Sequence, residues 1–151
     1  AHLAIGEYLE YKYLSKELFD NYFKFSFVRN PWCRAVSLYH YYGFDNKCEF
    51  NDFVLNYFRY LFRIHNWFFI PQIQFITIDN TITLDFLGRY ENLQSDFDLV
   101  CKNLDIGHTK LIHINKSKKI HPHYHEYYNN SSKDIIYNIY KEDIKQLNYE
   151  F

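Results

Sequence analysis

The sequence predicts an α/β domain with a mainly parallel sheet, and three observations carry that prediction. Segments with helical apolar spacing alternate with short apolar strands along the chain. A strand within residues 23–28 runs through Arg29 and Asn30 directly into a helix that can begin at Pro31. The 151 residues match one domain of ordinary size, without a repeat or linker to divide them. We therefore expect a single domain.

The first helices are predicted by capping signals as much as by periodicity. Residues 4–22 have the spacing of two short helices, with Ser15 as the cap of the second and Glu17 in its first turn. Residues 31–42 form the next helix, which Gly43 ends. Asn51 or Asp52 can cap a helix through residue 62, with an apolar side made of Phe53, Tyr57, Phe58 and Leu61.

The second half of the chain continues the alternation. Residues 83–89 are predicted as a buried strand, and Asn92 opens a helix that ends near Gly107. A short strand at 111–114 and a polar loop at 115–130 precede a final helix over residues 132–147.

Composition and charge exclude several classes of protein. Hydrophobic residues make up 48% of the chain with only four Gly and three Pro, which excludes disordered and collagen-like chains. Seventeen Lys and Arg against eighteen Asp and Glu leave no global field to attract nucleic acid or an anionic membrane. The longest apolar stretch, residues 66–78, is too short to span a bilayer. Partners of both kinds are therefore not expected.

The cysteines indicate a cellular compartment, and the absence of methionine indicates an incomplete chain. Cys33, Cys48 and Cys101 are odd in number and lie far apart, which argues against a disulfide framework or a structural zinc site. They favour a reducing, cytoplasmic compartment. The chain contains no Met, so we expect an upstream segment to be missing.

The strand–turn–helix at Arg29 is the first candidate site. Ligands of open α/β sheets bind beyond the carboxyl ends of the strands, where a following helix directs its N-terminal dipole. Arg29 can hold a phosphate there in bidentate fashion, and Ser37 can add a hydroxyl donor. The structural alternative is that Arg29 and Arg34 only tie a helix end to neighbouring carboxylates.

A histidine-rich stretch raises the question of a metal. His121, His123 and His125 alternate and would share one face of a strand. Pro122 interrupts strand geometry, so no metal site is predicted.

Residues 23–42, FKFSFVRNPWCRAVSLYHYY, resemble the 3′-phosphate-binding segment of sulfotransferases that use 3′-phosphoadenosine-5′-phosphosulfate (PAPS), in the carbohydrate and membrane-associated branch. Three further segments resemble that family in the same order: Phe69-Ile70-Pro71-Gln72, residues 85–93, and residues 140–151 from Tyr140-Lys141-Glu142-Asp143-Ile144 onward. The resemblance thus covers essentially the whole chain.

The resemblance implies a P-loop-like, three-layer α/β fold and transfer of a sulfuryl group from PAPS to a hydroxyl acceptor, expected to be a carbohydrate. It implies that Arg29 and Ser37 bind the 3′-phosphate of PAPS. It also implies that Ser117 and Lys118 contact the nucleotide from a loop that closes over it. Many relatives have Gly where this chain has Lys119. The alternative for that loop is a solvated lysine-rich segment.

The chain departs from the family pattern in two places. The N-terminal strand and the Lys- and Ser/Thr-containing loop that wraps the 5′-phosphosulfate are missing, so a non-catalytic nucleotide-phosphate binding module of the same fold is the alternative function. His65 is the candidate general base. By spacing from Pro71 and Gln72, however, the histidine of relatives corresponds to Phe68, and a partly buried, structural His65 in an aromatic cluster is the alternative. Relatives include soluble proteins and anchored luminal domains, so a luminal location stays open beside the cytoplasm.

Overall fold

The computed structural model of the protein describes residues 3–112 and 122–151. The chain divides into two compact units, one from Ala1–Arg29 and Gln74–Lys119 and the other from Asn30–Ile73 and Ile120–Phe151. No helix within the described ranges is long and apolar enough to cross a lipid bilayer.

The α-helices and β-strands of the described residues are, in chain order, α1 (Glu7–Glu10), α2 (Lys16–Asn21), β1 (Phe25–Val28), α3 (Pro31–Tyr41), α4 (Phe50–Asp52), α5 (Arg59–Arg63), α6 (Ile73–Ile76), β2 (Thr77–Ile78), β3 (Thr81–Ile82), β4 (Phe86–Arg89), α7 (Leu93–Asn103), α8 (Asn130–Ile139) and α9 (Lys141–Gln146). A π-helical stretch, Phe53–Phe58, joins α4 to α5.

The first unit is built on a parallel pair of strands, β1 and β4, with α7 packed against β4. Gly88 of β4 lies opposite Phe27 of β1, and a Cβ at Gly88 would come within 2.4 Å of the Phe27 ring. The two strands can approach in this way only because residue 88 has no side chain. The antiparallel pair β2–β3 is the other sheet of the described residues. A mixed α/β structure with parallel pairing is confirmed, and the three-layer, P-loop-like arrangement stays a prediction.

Local signals in the sequence place several helix ends correctly. The Ser15 hydroxyl accepts a hydrogen bond from the Leu18 N–H at 3.2 Å, which caps α2 as predicted. Gly43 follows α3 with a φ of 68°, in the left-handed region that glycine adopts readily. Asn92 precedes α7 as predicted, although its side chain makes no capping hydrogen bond.

The second unit has a helical, strongly aromatic core. Three of its fully buried rings, Phe53, Phe58 and Phe69, contact one another, and Phe58 meets Phe69 edge to face at 4.8 Å between centroids. Edge-to-face contacts stabilise such pairs beyond their burial. The buried members of the cluster are Trp32, Ala35, Val36, Leu38, Tyr39, Phe50, Phe53, Val54, Phe58, Phe69, Ile136 and Tyr140.

The helix predicted to be capped by Asn51 or Asp52 begins earlier, at Phe50, with Glu49 before it. Its predicted apolar side is wrong at Tyr57, which is 46% exposed while Phe53 and Phe58 are fully buried. The reason is the π-helical stretch, whose wider turn brings residues five apart to the same side.

Other boundaries also differ from the predictions. The final helix is two helices, because Tyr140 leaves helical geometry between α8 and α9. The strand predicted over 83–89 begins only at Phe86. Residues 111 and 112 are not in a strand, and residues 113–114 of that predicted strand lie outside the described residues.

Candidate functional site

Arg29 lies where the sequence predicts, immediately after the carboxyl end of β1. Its guanidinium is centred 4.3 Å from the centroid of the Tyr90 ring, which directly follows β4. Because β1 and β4 are parallel, both residues lie at the same edge of the sheet. The guanidinium is half-buried and stacked on this aromatic ring, and such stacking stabilises by about 0.5–2 kcal/mol.

Helix α3, in the second unit, is capped at its N-terminus by the side chain of Asn30. The Asn30 side-chain oxygen accepts from the N–H groups of Trp32 at 3.0 Å and Cys33 at 3.2 Å. Its amide nitrogen donates to the carbonyl oxygen of Glu150 at 2.8 Å. These two helix N–H groups therefore bond within the protein, and what the helix end presents to a ligand is chiefly its dipole.

Of the other three residues predicted to bind PAPS, one lies among the described residues. Ser37 lies two turns into α3 and is half-buried. Arg29 belongs to the first unit and Ser37 to the second, so their joint binding of one phosphate stays a prediction. Ser117 and Lys118 lie outside the described residues.

His65 is exposed and follows the end of α5 with a φ of 51°. Its backbone N–H donates to the carbonyl oxygen of Phe62 at 3.0 Å, which closes the last turn of the helix. The residue is exposed, where the structural alternative expected partial burial. Its role as a base stays a prediction.

The structural alternative expected Arg34 to bind neighbouring carboxylates, but among the described residues it donates to two backbone carbonyls. Its guanidinium donates to the carbonyl oxygen of Phe68 at 2.9 Å and to that of Ile70 at 3.0 Å. It also lies over the Tyr140 ring, 5.3 Å from the centroid. The planar fork of arginine suits two acceptors at once, so Arg34 fixes the segment that leads to Pro71 and Gln72.

Asp143, in α9, holds the other end of that segment. Its carboxylate is fully buried and accepts from the N–H groups of Gln72 and Ile73, both at 2.8 Å. Burial raises the pKa of Asp143, and the hydrogen bonds from Ile73 and Gln72 and the charge of Arg34 offset part of the rise. The carboxylate thus satisfies two backbone donors that follow a proline.

Tyr140 completes this arrangement, which we call the segment clamp: Arg34, Tyr140 and Asp143 around residues 68–73. The Tyr140 hydroxyl donates to the carbonyl oxygen of Phe69 at 2.8 Å, and burial raises the pKa of Tyr140 to about 12. Sequence reasoning missed the clamp, although Tyr140 and Asp143 stand in a segment that carries the family resemblance. Their spacing of three along the chain was the available signal, because it brings both side chains to one side of a helical turn.

The described residues contain no group of three His, Cys, Asp or Glu that could hold a metal ion. His123 and His125 are exposed, with ring centroids 4.5 Å apart, and His121 lies outside the described residues.

Comparisons with known proteins agree with the resemblance read from the sequence. The sequence model described as "Sulfotransferase family" matches residues 6–150. An uncharacterized protein of Archaeoglobus fulgidus is 34% identical over 109 residues, which cover 68% of this chain and 83% of that protein. No solved structure matches the chain.

Proposed function

Because the chain belongs to the sulfotransferase family, we propose that it takes part in sulfuryl transfer from PAPS to a hydroxyl group of a carbohydrate. The observation that carries this proposal is the family match over residues 6–150, a range that includes the four segments on which the resemblance rests, up to residue 150. PAPS supplies the activated sulfuryl group, which leaves its 5′-phosphate as the acceptor oxygen attacks. The products are a sulfate ester and 3′,5′-adenosine bisphosphate.

The part that we assign to Arg29 is recognition of the 3′-phosphate. Its half-buried guanidinium, stacked on Tyr90 at the edge of the β1–β4 pair, fits an anionic group of this kind. The proposal adds Ser37 as a hydroxyl donor, and Ser117 and Lys118 as further nucleotide contacts. A bidentate contact to a phosphate is the geometry in which arginine surpasses lysine.

For the acceptor, we assign residues 65–73 to its binding and deprotonation. The proton of the acceptor hydroxyl goes to a base, for which His65 is the candidate, because a ring nitrogen of histidine can accept a proton and the residue is exposed. The segment clamp supports this assignment, because fixed geometry is what an in-line transfer through a loose transition state requires.

Binding of the desulfated product tests the donor half of the proposal. We expect 3′,5′-adenosine bisphosphate to raise the melting temperature of the chain, 5′-AMP to leave it unchanged, and Arg29→Ala to abolish the effect. Arg63→Ala, at an exposed arginine of α5, is the matched control and should keep the shift. Equal shifts with the bisphosphate and 5′-AMP would contradict a 3′-phosphate site.

Transfer itself separates the enzyme from the non-catalytic alternative. Incubation with radiolabelled PAPS and a set of oligosaccharides should yield labelled sugar, and His65→Ala should reduce that yield. Bisphosphate binding without any labelled product would favour the binding module.

A further inference from the structure

Two aromatic rings, those of Tyr41 and Phe68, lie side by side at the surface of the second unit. Their centroids are 6.0 Å apart and their planes differ by 37°, and the residues are 67% and 39% exposed. We propose that this ring pair binds the acceptor by stacking against the face of a pyranose ring. The statement that the bound sugar is the acceptor rests on the proposed function, whereas the binding itself does not.

The ring pair is held in place before any ligand arrives. Tyr42 stands nearly perpendicular to both rings, at 84° to Tyr41 and 77° to Phe68, and its own ring lies 5.7 Å from that of buried Phe69. The Phe68 backbone donates to Asn66 at 3.2 Å and accepts from Arg34 at 2.9 Å. Aromatic side chains fixed in this way lose little entropy on binding.

The chemistry of the two faces matches a sugar. An aromatic face carries partial negative charge, and the axial C–H groups of a pyranose carry partial positive charge. The equatorial hydroxyls of a stacked sugar point past the rings, and the exposed His65 offers a polar group nearby in sequence.

The size of the ring pair argues against a protein partner. An aromatic side chain buries about 150–250 Å² even when covered completely. Two partly exposed rings therefore offer far less than the roughly 800 Å² per partner that a stable protein interface buries. A single sugar ring is of the right dimension.

Nuclear magnetic resonance with chitotriose, a neutral trimer of N-acetylglucosamine, tests the proposal on the full chain. We expect saturation transfer to the axial C–H protons of the sugar, and about tenfold weaker binding in Tyr41→Ala and Phe68→Ala, as the loss of a stacking contact implies. Phe68→Tyr should retain binding. The matched control is Tyr13→Ala, because Tyr13 is 66% exposed and also has an aromatic neighbour, Tyr11, at 6.4 Å.

A second measurement needs no variant. On titration of the wild-type chain with chitotriose, the ring-proton resonances of Tyr41 and Phe68 should shift, and those of Tyr13 should stay. Shifts confined to other aromatic residues, unchanged affinity in both alanine variants, or no binding at all would overturn the proposal. The proposal would also be overturned if the chain associates with itself and either alanine variant abolishes that association.

The nucleotide experiment distinguishes the two failures. The alanine variants should keep the melting shift with 3′,5′-adenosine bisphosphate. A missing shift together with sugar binding at the ring pair overturns the proposed donor and leaves the sugar site standing. A normal shift without sugar binding overturns the ring pair and leaves the donor.

Discussion

Asp143 accepts a hydrogen bond from the backbone N–H of Ile73 at 2.8 Å, although the two residues are 70 positions apart in the chain. The same carboxylate accepts from Gln72, so one buried side chain orders two successive peptide groups. Arg34 and Tyr140 bind the carbonyls just before them. The backbone at residues 68–73 therefore owes its shape to side chains of α3, of α9 and of the residue between α8 and α9.

Removing the Asp143 carboxylate should destabilise the chain. In Asp143→Ala, the buried N–H of Ile73 and the part-buried N–H of Gln72 lose their acceptor, and we expect the free energy of unfolding to fall by about 3 kcal/mol. Urea unfolding measures this loss, and amide exchange at Gln72 and Ile73 should accelerate. Asp134→Ala, at an exposed aspartate of α8, should change the stability little. Equal losses in the two variants would contradict the role given to Asp143.

The raised pKa of Asp143 also predicts a dependence of stability on pH. A carboxyl group whose pKa is higher in the folded chain binds more protons there than in the unfolded chain, so stability falls as pH rises through the interval between the two values. The loss should begin near pH 4, the ordinary range of aspartate, and end above the folded pKa. We expect wild type to lose stability relative to Asp143→Asn over this interval. A difference that is constant or that grows with pH would mean that the hydrogen bonds outweigh burial.

Gly88 should tolerate no side chain. Because a Cβ there would lie 2.4 Å from the Phe27 ring, Gly88→Ala should lower the free energy of unfolding by about 1–3 kcal/mol. Gly107→Ala is the control, since its Cβ meets nothing within 4 Å. Combining Gly88→Ala with Phe27→Leu should recover part of the loss, because the two sites share one contact. Additive effects in thermal unfolding would count against the clash.

Arg34 should not be replaceable by lysine. A lysine ammonium cannot reproduce the planar fork that reaches the carbonyls of Phe68 and Ile70, so Arg34→Lys should cost about 1–2 kcal/mol of stability. Urea unfolding measures the loss, and Arg63→Lys at an exposed position is the control. If the charge alone mattered, Arg34→Lys would match wild type.

Features set by neighbouring residues could be predicted from the sequence, and features set by distant ones could not. The Ser15 cap and the Gly43 stop depend on a few adjacent residues, and both were predicted correctly. The break at Tyr140 and the roles of Arg34 and Asp143 depend on partners far along the chain. Hydrophobic periodicity predicts which face of a helix such a residue lies on. It does not predict which distant backbone groups a buried carboxylate such as that of Asp143 will bind.

The π-helical stretch has a consequence for comparing this chain with its relatives. In a regular α-helix, residues five apart point about 140° away from each other, so Phe53 and Phe58 could not both face one core. Their common burial means that the helix accommodates one residue more per turn here. A relative with an uninterrupted α-helix would match this region in space only with a one-residue gap. Deleting Asn56 would restore regular winding and leave Phe58 four residues after Phe53, about 40° away around the helix axis, so Phe58 would still face the core.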